Sequence, residues 1–182
     1  MRLERRPAKR KTQPEGERKD SDNKEHLGAP KVNSGNFILE QAMAVECVKK
    51  LHTALVDTRG AYELAIKDTE DAEVAGICRE MISLRHSDHK QLHQSLILAG
   101  EVPDENGSFM SIVHETVIGV RAAISGISKK TLPAFASGEE DIITLYDEAL
   151  AETSSHPDIS DILTRQRDNL LKKIAAMKNL AP

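Results

Sequence analysis

A long helical hairpin over residues 36–100 constrains the fold of this chain more than any other feature. Apolar residues recur at spacings of three, four and seven through both halves of that stretch, which places them on one face of each helix. They are Ile38, Val45, Val48, Leu51, Leu55, Tyr62 and Ile66, and then Val74, Ile77, Cys78, Met81, Leu84, Leu92, Leu96 and Ala99. Only residues 68–71 separate the halves, so the sequence predicts two antiparallel helices, each roughly 45 to 50 Å long.

Three further amphipathic segments follow the hairpin, which is predicted to end at Gly100. They cover residues 108–127, 137–152 and 157–178, and Pro133 interrupts the pattern between the first two. No segment shows the period of two that is typical of a strand. The sequence therefore predicts an all-α, up-and-down four-helix bundle whose third helix is broken near Pro133.

Charge is divided unevenly along the chain. Residues 1–33 hold ten Lys and Arg against six acids, whereas the remaining residues carry a net charge of −8. The first stretch is also poor in large apolar residues and contains several prolines, so it cannot bury enough surface to offset the entropy of ordering. We predict a disordered basic arm over residues 1–33 and one bundle domain over residues 34–182. Binding of nucleic acid through residues 1–12 is the alternative to a solvated tail.

The composition favours a cytoplasmic protein. No run of apolar residues approaches the length of about 18 that a membrane-spanning helix needs. The basic N-terminus lacks the apolar core of a secretory signal. Two cysteines, Cys47 and Cys78, are too few for a disulfide framework, and both lie on or beside apolar faces, which predicts buried thiols in a reducing compartment.

From Leu51 to Pro182 the chain resembles a bacterial family of ferritin-like four-helix-bundle proteins that is known as a domain of unknown function. The resemblance is carried by residues 57–62 (DTRGAY), 99–103 (AGEVP), 112–114 (IVH), 137–140 (SGEE) and 145–150 (LYDEAL). It implies a ferritin-like fold and points to a stress response. It does not imply an established activity.

The resemblance to ferritin-like proteins also raises the question of a carboxylate-bridged dimetal site. Such a site takes one Glu from each of two helices and a Glu-x-x-His motif from each of the other two. No glutamate in this sequence has a histidine three residues later. Arg59 stands where the resemblance would place the first-helix glutamate, and we predict that it forms an ion pair with Glu80. We therefore predict no catalytic residues and no cofactor of this kind.

Histidines of the hairpin are the other candidate ligands for a metal ion. His89 and His93 are four residues apart and could bind one ion from one helix face. The metalloprotease motif HExxH is absent because position 90 is lysine. His86, in the same cluster, is a further candidate. We expect these histidines to cover a polar helix face, and a weak transition-metal site is the alternative.

Asp88 interrupts the apolar stripe of the second helix. An inward carboxylate needs a partner because isolated burial costs several kcal/mol. Counted outward from the hairpin turn, His52 lies within about 1.5 Å of the level of Asp88. We therefore predict that His52 faces Asp88, unless the second helix is rotated enough to turn Asp88 to solvent. The candidate metal ligands are His52, His86, Asp88, His89 and His93.

The sequence thus favours a non-catalytic ferritin-like bundle that acts through self-association or a protein partner. The alternative is a metal-binding protein that uses histidines of the first hairpin and takes a transition metal as its ligand.

Overall fold

The computed structural model describes residues 34–103 and 126–182, with side chains from residue 41 onward. These two ranges are helical and contain no strand, which confirms the all-α prediction. The predicted basic arm and nearly all of the predicted helix over residues 108–127 lie outside the described residues. The helices are α1 (Ser34–Ala65), α2 (Ala72–Leu98), α3 (Leu132–Glu152) and α4 (Pro157–Leu180), with one 3-10 turn at Lys129–Thr131.

The α1–α2 hairpin forms where the sequence predicts it. Asp71 caps α2, because its carboxylate accepts hydrogen bonds from the backbone N–H groups of Glu73 and Val74 at 3.0 and 3.2 Å. At the other end Gly100 has a φ of 85°, the left-handed conformation in which glycine is favoured. The Glu101 N–H donates to the Leu96 carbonyl at 3.0 Å, which completes the usual glycine stop of a helix. The predicted end of this helix is confirmed.

Helix α3 begins earlier than predicted. It starts at Leu132, so the predicted helix start at Ser137 is wrong. Pro133 lies in the first turn of α3, where a proline needs no backbone N–H and its fixed φ already suits a helix. Pro133 therefore initiates a helix here. A longer helix broken at this point stays a prediction, since most of its first half is outside the described residues.

The four helices pack side by side, α1 against α2 and α3, and α4 against α3 and α2. For three pairs of neighbouring helices, two contacts show that the residue number rises on one helix as it falls on the other, as expected for antiparallel neighbours. These contacts are Lys50–Glu148 and Tyr62–Glu139 between α1 and α3, Arg167–Asp147 and Lys178–Glu140 between α3 and α4, and Gln166–Asp88 and Lys173–Glu80 between α2 and α4. Helix α1 is thus antiparallel to α2 and α3, and α4 is antiparallel to α3 and α2. Consequently α2 and α3 run in the same direction, so the described helices do not alternate in direction as the predicted up-and-down order requires.

The interior of this bundle is mostly aliphatic, with Leu51, Leu55, Met81, Leu92, Ile142, Leu163 and Leu170 among its fully buried side chains. Both thiols are free, Cys78 buried and Cys47 partly so. None of the described helices is both long and apolar enough to cross a membrane. Polar side chains also lie in this interior. They include His52, Arg85, Asp88, Glu139 and Gln166.

Candidate metal centre

Three histidines meet between α1 and α2. His52 comes from α1 and is 1% exposed, while His89 and His93 come from α2 and are partly buried. The ring centroid of His52 lies 4.2 Å from that of His89 and 5.6 Å from that of His93. The rings of His89 and His93 are 5.8 Å apart. We call these three residues the histidine cluster.

Helical spacing and the short turn together build the histidine cluster. Residues four apart on a helix lie on one face, about one turn from each other, so His89 and His93 project in similar directions. The short connection between α1 and α2 fixes the register of the hairpin, and that register brings His52 to the same level. Both features follow from the sequence. The predicted metal candidates His52, His89 and His93 are indeed brought together.

The geometry of the histidine cluster fits a transition-metal ion. One ligand nitrogen from each residue can be chosen so that all three lie within 4.8 Å of one another. Imidazole nitrogens bind Zn²⁺ at about 2.0 to 2.1 Å, so neighbouring ligand atoms of a tetrahedral ion are about 3.3 Å apart. Closing the remaining gap requires ring movements of about 1 Å, which small side-chain rotations supply. Among the described residues this is the one group of three metal-ligating side chains close enough to share an ion.

The other two predicted candidates lie elsewhere. His86 is exposed on α2 and does not belong to the cluster. Asp88 is buried, as predicted, but its carboxylate accepts a hydrogen bond from the Tyr146 hydroxyl of α3 at 3.4 Å. The partner predicted for Asp88 therefore has to be corrected. The ring of His52 lies against the tilted ring of His89, the residue after Asp88 on α2.

Asp88 belongs to a buried polar group that joins three helices. The Tyr146 hydroxyl is also 3.2 Å from Oε1 of Gln166, and Nε2 of Gln166 donates to the backbone carbonyl of Asp88 at 3.2 Å. Burial raises the pKa of the Asp88 carboxyl to about 6, although the Arg85 guanidinium and the Tyr146 hydrogen bond oppose the rise. Burial also raises the pKa of Tyr146, so its hydroxyl stays protonated.

The raised pKa of Asp88 predicts a pH dependence of stability in metal-free protein. An unfolded Asp has a pKa of about 3.9, so between about pH 4 and pH 6 the folded chain binds a proton that the unfolded chain has released. The free energy of unfolding therefore falls as the pH rises through this window. We expect Asp88→Asn to remove that fall and to be more stable than wild type at pH 7, by up to about 3 kcal/mol. Urea unfolding at pH 4 and pH 7 with a chelator measures it. A difference between variant and wild type that is the same at both pH values would contradict the prediction.

A second buried polar group was not predicted. The Arg85 guanidinium, fully buried on α2, forms an ion pair with Glu139 of α3, and the Tyr62 hydroxyl of α1 donates to Glu139 at 2.8 Å. Burial alone would lower the pKa of Arg85, but its negatively charged neighbours, led by Glu139, raise it overall. Burial raises the pKa of Glu139, while Arg85 and Tyr62 favour its charged form. The contacts with Arg85 and Tyr62 are therefore what opposes protonation of the buried Glu139 carboxylate.

The signal for Arg85 and Glu139 was present in the spacing. Arg85 lies four residues after the core residue Met81, and Glu139 lies three before the core residue Ile142, so both positions continue apolar stripes. A charged residue on an apolar stripe marks either the edge of the stripe or a buried ion pair. These two cases differ in whether the charged residue has a partner on another helix. The sequence of a single helix does not show that partner.

The predicted ion pair between Arg59 and Glu80 is wrong. Nε of Arg59 lies 3.5 Å from Oε1 of Glu63, one turn along the same helix, and Glu80 accepts a hydrogen bond from Nζ of Lys173 at 2.7 Å. The prediction rests on the equal height of Arg59 and Glu80 along the hairpin. Height does not fix the direction in which a side chain leaves its helix, and Glu80 faces α4.

These features define an all-α protein with an imidazole cluster between two helices of its bundle. Residues 43–152 match the family described as "Domain of unknown function (DUF2383)". The match covers more than half of the 182 residues, and the chain belongs to that family. The matched range contains the histidine cluster and the Arg85–Glu139 pair, whereas Gln166 lies beyond it. No curated protein and no solved structure matches the chain significantly.

Proposed function

We propose that the protein binds a transition-metal ion at His52, His89 and His93. The observation that carries the proposal is the convergence of three imidazoles from two helices, with ligand nitrogens within 4.8 Å of one another. His89 and His93 form a pair on one helix, and His52 adds a third ligand from the other. Binding therefore links α1 to α2 in the middle of the hairpin.

The ligand type selects the class of ion. Imidazole suits Zn²⁺, Cu²⁺, Ni²⁺ and iron, whereas Mg²⁺ and Ca²⁺ prefer oxygen ligands. The described ligands are all nitrogen donors, which favours the first group. Protons compete with the ion for imidazole nitrogen, so affinity should fall on acidification.

Metal analysis of protein prepared without a histidine tag tests this proposal. After dialysis against a small excess of Zn²⁺ at about pH 7.5 we expect one ion per chain, and release of that ion at about pH 5. His89→Ala should lose it, because two imidazoles then remain. His156→Ala is the matched control, since His156 lies at the start of α4 and outside the cluster, and it should retain the ion. Equal zinc content in the two variants, or none in wild type, would refute the proposal.

We further propose that the bundle is ferritin-like. The directions of the helices support this, because two antiparallel hairpins, α1–α2 and α3–α4, pack so that α2 and α3 run the same way. In ferritin-like folds one long crossover connects such hairpins. A bacterial source, a cytoplasmic location, a stress response and action through self-association or a protein partner stay predictions from the sequence and its resemblance.

A further inference from the structure

Helix α4 contributes no residue to the histidine cluster. It does hydrogen-bond to the turn of α2 that carries His89 and His93. Gln166, 2% exposed, reaches from α4 to α2 and donates through Nε2 to the Asp88 carbonyl at 3.2 Å. Asp88 directly precedes His89. A helical carbonyl at this position also accepts from the backbone N–H four residues later, that of Leu92, which directly precedes His93. Gln166 therefore bonds to the turn of backbone from which both α2 histidines project.

The orientation of the Gln166 amide is set by its partners. The Asp88 carbonyl can only accept a hydrogen bond, so the amide turns Nε2 towards it, and Oε1 then lies 3.2 Å from the Tyr146 hydroxyl. That hydroxyl has one hydrogen, which it shares between Oε1 of Gln166 and the Asp88 carboxylate 3.4 Å away. Tyr146 is itself fully buried on α3. The side chains of Tyr146 and Gln166 thus form a fixed chain of contacts from α3 through α4 to the backbone of α2, in an interior where a broken polar contact is costly.

The position of that backbone matters because a metal ion binds tightly only when its ligand atoms are held close to the required distances and angles. A helix with its side chains has a radius of about 5 to 6 Å, so rotating α2 by about 10° moves an imidazole by about 1 Å. That displacement is comparable to the whole adjustment the cluster needs to bind an ion, and it exceeds the roughly 0.5 Å within which a site must be held. Nothing else described on α4 hydrogen-bonds to the α2 backbone.

We infer that Gln166 is a positioning residue of the metal centre: by anchoring the Asp88 carbonyl it sets the rotation of α2 that directs His89 and His93 towards His52. The inference rests on the proposed metal binding. It assigns to α4 a part in a site whose ligands all come from α1 and α2. It also predicts that the coupling is mutual, so that binding of an ion at the histidine cluster changes the environment of the Gln166 amide.

Competition titrations with Zn²⁺ and absorption spectra of the Co²⁺-loaded protein test the inference. Gln166→Met keeps the size of the side chain and removes the donor, while Tyr146→Phe removes the hydroxyl that contacts both Oε1 of this amide and the Asp88 carboxylate. Leu170→Ala is the matched control, because Leu170 is buried one turn further along α4 and its truncation destabilises the core without removing a polar contact.

We expect Gln166→Met to bind Zn²⁺ about tenfold more weakly, near the lower end of the losses seen when an outer partner of a metal ligand is removed. Its Co²⁺ absorption bands should shift, and Tyr146→Phe should change in the same direction by less. Leu170→Ala should melt at a lower temperature but keep the wild-type Co²⁺ spectrum and an affinity within about twofold of wild type. In wild type, Zn²⁺ should shift the NMR signals of the Gln166 side-chain amide.

Two results would overturn the inference while leaving metal binding intact. One is a Gln166→Met protein with wild-type affinity and spectrum. The other is a Leu170→Ala protein whose affinity and spectrum change as much as those of Gln166→Met, which would show that general loosening of the bundle is responsible. If Gln166→Met fails to fold, two other measurements decide. The inference is overturned when Tyr146→Phe keeps the wild-type Co²⁺ spectrum and Zn²⁺ does not shift the signals of the Gln166 amide in wild type. Absence of binding in wild type would instead refute the proposed function itself.

Discussion

Saturating Zn²⁺ is expected to raise the melting temperature of the wild-type protein by about 5 to 10 °C and to leave that of His52→Ala almost unchanged. A ligand that binds only the folded state at about 100 times its dissociation constant stabilises by about 2.7 kcal/mol. For a domain of this size each kcal/mol shifts the melting temperature by about 2 to 4 °C. His52 is the decisive position, because it is the only described member of the cluster that α1 supplies.

Thermal unfolding followed by circular dichroism, with and without Zn²⁺ and with a chelator to reverse the effect, measures this shift. His86→Ala is the control, since His86 is exposed on α2 and outside the cluster. It should keep the full shift. A shift of the same size in His52→Ala would show that Zn²⁺ binds elsewhere. No shift in the wild-type protein would contradict the proposal that the ion links α1 to α2.

The second large effect is expected at the buried ion pair. Arg85→Ala should destabilise the protein by about 3 to 5 kcal/mol, because it leaves the Glu139 carboxylate buried without its counter-charge. That corresponds to a fall in melting temperature of roughly 6 to 20 °C. Lys173→Ala is the control, because it breaks a pair with Glu80 at the surface and should cost less than about 1 kcal/mol.

Removing the whole buried polar group should be far less harmful than removing one member. Within the described residues, Nε and Nη1 of Arg85 have no hydrogen-bond acceptor, so the native arrangement already carries a desolvation penalty. We expect the triple variant Arg85→Met, Glu139→Leu, Tyr62→Phe to recover most of the stability lost in Arg85→Ala. Chemical unfolding of the three proteins measures it. A triple variant less stable than Arg85→Ala would show that the ion pair itself contributes most of the stability.

The hairpin and the level of its residues were predictable from sequence because both depend on distances along helices. The apolar period locates α1 and α2, and a fixed rise per residue locates His52 near the level of residues 88 and 89. Two of the three clustered histidines could also be paired from their spacing alone.

What could not be predicted is the rotation of each helix about its axis. Adjacent residues on a helix point about 100° apart, so an error of about 50° in the rotation of a helix exchanges one partner for the next. The sequence predicts that Asp88 faces His52, but its carboxylate accepts a hydrogen bond from Tyr146 on α3, and the ring next to His52 belongs to His89. The wrong pairing of Arg59 with Glu80 has the same cause. Rotation is set by packing against α3 and α4, which the hairpin sequence does not contain.

The start of α3 and its buried carboxylate were missed for another reason. In the sequence Pro133 indicates an interruption, which predicts that Glu139 lies at a helix start, where acidic residues are common and exposed. In the structure Pro133 lies in the first turn, and Glu139 is two turns inside α3 and 3% exposed. A proline that begins a helix and one that interrupts a helix differ in the conformation of the residues before them, which the sequence pattern does not show.

The measurement that tests the central claim most directly is X-ray absorption at the zinc edge of the tag-free protein loaded with one equivalent of Zn²⁺. We predict a first shell of nitrogen or oxygen atoms at about 2.0 to 2.1 Å, with outer-shell scattering that corresponds to three imidazoles. His93→Ala should reduce that count to two. A first shell with one imidazole or none, or one that contains sulfur, would show that the ion is bound elsewhere and would contradict the assignment of His52, His89 and His93 as the metal centre.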